Sequence, residues 1–172
     1  MIQDLTLRWV ITLLFAFSAG VCITAIVTNR HSVESRISHS LHAIMAIAMA
    51  VMAWPGGASL PSRPPMIFFA AAAVWFAVVV VRDAGHRAAN SYHALMMLAM
   101  AWMYAAMGGL SLPMGVSWVM TLNWVCAVGF AAATALWFYR FVVARVQNEK
   151  TVGVLCQLAM AAGMAVMFAV ML

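Results

Sequence analysis

Between Leu5 and Thr28 the chain carries a single charged residue, Arg8. An apolar run of about 20 residues, rising 1.5 Å per residue as a helix, matches the hydrocarbon core of a bilayer. The pattern recurs five more times, at Ser38–Trp54, Pro65–Val81, Asn90–Met107, Val116–Val143 and Val152–Leu172, the second beginning earlier, near Val33 or Arg36. Of the 172 residues, 67% are hydrophobic and only 8% charged. Mean hydropathy is +1.01. A water-soluble domain cannot hide that much apolar surface. The expected fold is an all-α integral membrane bundle of six transmembrane helices, forming one domain over residues 1–172.

Loop charges set the orientation. Arg30 and Arg36, Arg82 and Arg87, and Arg140, Arg145 and Lys150 flank alternate breaks, while the other side holds Arg8 and Arg63. The positive-inside rule then puts those three breaks in the cytoplasm and both termini outside, in the cell's inner (plasma) membrane. The formal net charge of +5 is thereby a topology signal and requires no nucleic acid. The first span is too long, and too close to Arg30 and Arg36, for a cleaved signal peptide.

The strongest internal pattern is a repeat. LHAIMAIAMAVM (Leu41–Met52) returns as YHALMMLAMAWM (Tyr92–Met103), and QLAMAAGMAVM (Gln157–Met167) keeps the same register. His42, Met45, Met49 and Met52 align with His93, Met96, Met100 and Met103, and with Gln157, Met160, Met164 and Met167. Steps of three, four and three residues keep all four side chains on one narrow helical stripe. The chain therefore reads as three hairpins, residues 1–57, 58–110 and 111–172, each ending in a methionine ladder, with internal pseudo-threefold symmetry. Three parallel ladders facing one axis would stack as layers about 5–6 Å apart, with His42, His93 and Gln157 at the cytoplasmic end. His39 lies close enough on its helix to join that layer, whereas His31 and His86 sit among loop charges.

Thioether sulfur is a soft, uncharged ligand that selects Cu(I), and three in a ring suit a trigonal ion without fixed charge in lipid. Stacked weak sites are also what conduction requires. The pairs Met45/Met49, Met96/Met100 and Met160/Met164 resemble the Met-x-x-x-Met motif of the eukaryotic high-affinity copper transporter family. In that family, homotrimers place such methionines in rings around a threefold pore. The resemblance is one of sites, and it implies Cu(I) rings at the Met45 and Met49 layers. As a whole, the chain also resembles an uncharacterised family of small actinobacterial multi-pass membrane proteins. The expected function is a passive Cu(I) transporter or carrier.

Two other function classes fit parts of the pattern. His42 and His93 at equal depth would ligate a b-type haem, making the chain a haem- or quinone-linked electron-transfer subunit. Methionine is also a flexible packing residue, so a triplicated hairpin would repeat its ladder as a structural or assembly subunit that docks on a membrane protein partner. In that case His42 and His93 make local hydrogen bonds, for instance to Ser38 or Asn90. Enzymatic chemistry has little support, because Asp4, Glu34, Asp83 and Glu149 all sit at loops or termini and no phosphate loop is present. Cys22, Cys126 and Cys156 lack C-x-x-C spacing and read as small buried hydrophobes. Trp9, Trp54, Trp102, Trp118 and Trp137 read as interfacial anchors.

Overall fold

The computed structural model describes residues 4–28, 33–57, 61–82, 87–108, 116–147 and 151–172. Arg30, His31, Asp83, His86, Glu149 and Lys150 lie outside the described residues, as does the side chain of Glu34. All regular structure among the described residues is helical. The six helices are α1 (Leu5–Thr28), α2 (Val33–Met52), α3 (Arg63–Arg82), α4 (Arg87–Met107), α5 (Val116–Val146) and α6 (Val152–Val170). Four of them (α1, α3, α5 and α6) contain spans long and apolar enough to cross a membrane. α2 supplies a shorter apolar helix, Arg36–Met52. Both α2 and α4 open on polar turns, with Arg36, Ser38, His39, Ser40 and His42 on one and Arg87, Asn90, Ser91 and His93 on the other. That polarity dilutes their apolar run and separates them from the four.

Helix boundaries follow local chemistry. The backbone N–H of Thr6 donates to the Asp4 carboxylate at 2.9 Å, capping the start of α1. α2 stops before Pro55, which disfavours helical backbone at Trp54, and the chain closes through Trp54 N–H to Val51 O and Gly57 N–H to Trp54 O. A Cβ on Gly57 would collide with the Val51 carbonyl, so this turn needs glycine. α3 carries Pro64 and Pro65 in its first turn, where the missing N–H groups leave no helical bond unmade. Along the spans, hydroxyls find acceptors inside their own helix: Thr12 donates to Arg8 O and Thr134 to Phe130 O, both at 2.7 Å. At 31 residues, α5 is about 46 Å long, well beyond a hydrocarbon core of about 30 Å. Its final turns carry Arg140 stacked over Trp137 and Arg145 over Phe141, as expected of a helix end among headgroups.

Each helix packs on its chain neighbour, α1 on α2, α3 on α4 and α5 on α6, and α1 packs also on α6. The chain forms two compact units, one of residues 1–57 and 114–172 and the other of residues 58–113.

In the first unit α1 is the centre. Ile11, Phe15, Ser18, Ala19 and Cys22 are buried along one stripe at helical spacing. Trp54 at the end of α2 donates its indole N–H to the Thr12 hydroxyl at 3.1 Å and meets Trp9 edge-on at 5.4 Å. Phe15 lies against Gly163 of α6, and Ser18 against Cys156. Later residues of α2 and α6 thus meet earlier residues of α1. Both helices run antiparallel to α1 and in the same direction as each other. Phe130 of α5 stacks on Phe168 of α6 at 5.9 Å.

In the second unit, Phe69, Ala72, Ala73 and Phe76 form the buried face of α3. Phe69 stacks on Tyr104 of α4, and the ring of Phe76 leans on His93, 5.4 Å away. Ser62 fills the space beside Gly108, so the turn after α4 has no room for a side chain there.

Candidate functional site: methionine ladders and a thiol pair

The ladder residues occupy the inward stripes of their helices. On α2, Met45 and Met49 are fully buried, Met52 is 5% exposed, and Ile44, Ile47 and Val51 face outward. On α4, Met96, Met100 and Met103 are fully buried, while Leu95 and Leu98 are more than half exposed. On α6, Met160 and Met164 are fully buried and Met167 nearly so. The division is chemically selective. On α2 and α4, branched aliphatics take the outward faces, where lipid is an adequate solvent for them, and the ladder thioethers take the inside. Met97 is also fully buried, so the inward face of α4 is broader than the repeat alone marks out.

Two ladders belong to the first unit. The contacts of Trp54 and Phe15 register α2 and α6 along the same stretch of α1 to within about one helical turn. The remaining ladder, on α4, belongs to the second unit with His93.

The polar members differ from one another. His42 is 5% exposed, and its Nδ1–H donates to the Ser38 carbonyl oxygen at 2.7 Å. This bond fixes the tautomer and leaves Nε2 carrying the lone pair, which is how a metal-binding histidine is oriented. The same bond is the local partner that the packing alternative expects. His93, Gln157 and His39 are half-buried. Among the described residues, no group of three or more His, Cys, Asp or Glu side chains gathers as a metal site.

Two of the cysteines are buried, as small hydrophobes would be, and one of them has a polar neighbour. Cys22 of α1 and Cys156 of α6 are each 5% exposed, and both stand beside Ser18, Cys22 one turn after it on α1 and Cys156 across from it on α6. The fully buried Ser18 hydroxyl stands 3.0 Å from Cys156 Sγ, and the Cys156 thiol also points at the Ser18 carbonyl oxygen, 3.8 Å away. Spacing along the chain does not reveal this pairing. The available hints were local: Ser18 and Cys22 stand one turn apart on α1, and Cys156 directly precedes Gln157, the first position of the third ladder. Cys126 on α5 is half-buried.

A family model described as a domain of unknown function, DUF5134, matches residues 34–171. The chain belongs to the DUF5134 family. The DUF5134 match takes in all three ladders, His42, His93 and Cys156, and leaves α1 with Ser18 and Cys22 outside it. An uncharacterized protein of Mycobacterium bovis and uncharacterized proteins of two Mycobacterium tuberculosis strains are each 42% identical to this chain, in matches that cover 100% of it, the α1 residues included, and 99% of the relative. No solved structure matches this DUF5134 chain.

Proposed function

We propose that this DUF5134 protein is a membrane Cu(I)-binding protein, a passive carrier or transporter whose ligands are the ladder methionines. One observation carries the reading: all nine methionines that share the repeated register are buried, while Ile47, Val51 and Leu98, the larger aliphatic residues between them on α2 and α4, are exposed. A thioether binds soft Cu(I) without adding charge to an apolar interior. Leucine would fill the same volume at lower conformational cost if packing were the whole purpose. In this reading α2 and α4 join the four long apolar helices to make six spans. His42 and His93 then lie at the cytoplasmic end, where a stronger nitrogen ligand would take the ion as it leaves.

The deciding measurement is a Cu(I) titration of the purified protein beside the variant Met49→Leu/Met100→Leu/Met164→Leu, with an absorption spectrum on each sample. The reading expects Cu(I) bound by the native chain and lost or sharply weakened in the variant. Equal binding by both proteins overturns it. A Soret band in protein produced with ample haem would favour the cytochrome alternative instead.

A further inference from the structure

We propose that Cys22 and Cys156 form a second Cu(I) site, a two-coordinate dithiolate in the first unit, separate in its residues from the ladders. The choice of Cu(I) as the ion rests on the ladder reading; the site itself rests on the geometry of α1 and α6.

Two helices, distant in sequence, each bring a buried thiol to Ser18: its hydroxyl is 3.0 Å from Cys156 Sγ, and Cys22 follows it by one helical turn, on the same buried stripe of α1. Two-coordinate binding by a pair of cysteine sulfurs suits a soft monovalent ion that needs no further charge from the protein. Binding is an exchange of protons for metal. Both S–H bonds are lost, two S–Cu bonds form, two protons leave, and no electron is transferred. The site then carries one net negative charge, and a neighbouring hydroxyl opposes it: that of Ser18 is in place to donate to the Cys156 sulfur.

Position gives the pair a role. Cys156 directly precedes Gln157, the one ladder that begins with an amide where the other two begin with imidazole. Met160 follows Cys156 by one helical turn, and both are buried on α6. The thiols therefore supply a strong soft ligand pair beside the ladder that lacks its histidine. An ion leaving Met160 meets them within about 6 Å of rise along the helix.

The test is a titration of the reduced full-length protein in detergent, under anaerobic conditions, with Cu(I) against a chromogenic Cu(I) chelator. Thiolate-to-Cu(I) charge-transfer absorption and proton release are followed together. Native protein should develop the band and release protons. Cys22→Ser and Cys156→Ser should each abolish the band and weaken that site by about 100-fold or more, beyond the range for losing a supporting contact. Cys126→Ser should change neither. A second readout needs no variant: Cu(I) should protect Cys22 and Cys156, but not Cys126, from alkylation in native protein.

Absence of the band from folded native protein, or equal alkylation of all three cysteines with and without Cu(I), overturns the site. The ladder variant separates the two proposals. If the band survives in Met49→Leu/Met100→Leu/Met164→Leu, the thiol pair stands whether or not the ladders bind. If it disappears there and survives Cys22→Ser/Cys156→Ser, the thiol site is wrong and the ladder reading is untouched.

Discussion

The ring of Phe15 occupies the space in which a Cβ on Gly163 would stand. Phe15 is fully buried, so its ring cannot swing aside without disturbing its neighbours. Gly163→Ala should therefore destabilise the protein by about 1–3 kcal/mol, as overpacking does, and loosen the contact of α1 with α6. Gly129, in the middle of α5, meets nothing within 4 Å of its added Cβ. Gly129→Ala should be neutral or stabilising by up to about 1 kcal/mol, because glycine is a poor helix residue. Thermal unfolding of both variants in the same detergent checks the contrast.

The bond from Trp54 to Thr12 ties the end of α2 to the first half of α1. Trp54→Phe keeps an aromatic ring near Trp9 but removes the donor, and should cost about 0.5–1.5 kcal/mol beyond the lost area. Thr12→Val leaves the indole N–H without its acceptor and should cost about the same or slightly more. In a double-mutant cycle the two changes should be non-additive, with a coupling of at least about 0.5 kcal/mol. Additive losses would mean that the hydrogen bond contributes nothing in lipid or detergent.

The ladder positions separate volume from chemistry. Met49→Leu conserves volume and should cost less than about 1.5 kcal/mol, whereas Met49→Ala opens a cavity and should cost about 2–5 kcal/mol. The same order is expected at Met164. At outward-facing Leu98 the change to Ala should cost less than either alanine variant, because lipid or detergent fills the space. A steep loss at Leu98 would place that residue in an interface.

Asp4 caps α1 through the Thr6 amide. Asp4→Ala should reduce stability by about 0.5–2 kcal/mol, and Asp4→Asn, which retains a capping oxygen, by much less. Proteolysis near the N-terminus, or amide exchange at Thr6, reports the fraying directly.

How much of this was legible before folding differs from residue to residue. Helix positions in lipid are local properties, since a run of apolar residues must satisfy its own backbone hydrogen bonds. The long spans and the stripe of Met45, Met49 and Met52 could therefore be read directly. The ends were less legible. α4 begins at Arg87 and α5 continues to Val146, because a charged turn can stay helical where it leaves the hydrocarbon. The His42 bond to Ser38 spans one turn and was open to sequence reasoning. Ser18 and Cys156 are 138 residues apart, and nothing in either helix names the other.

By itself, then, the sequence determined an all-helical chain apolar enough for a membrane and three ladders in one register, which follow from periodicity and hydropathy along single helices; of the six spans expected, four are long and apolar enough to cross. The tertiary structure decided which helix α1 meets on each side. Through that choice it put Phe15 against Gly163 and Ser18 against Cys156. The physical reason is that lipid-facing and helix-facing apolar surfaces look alike in composition, and only packing against a particular neighbour, here small Gly163 beneath a large ring, separates them.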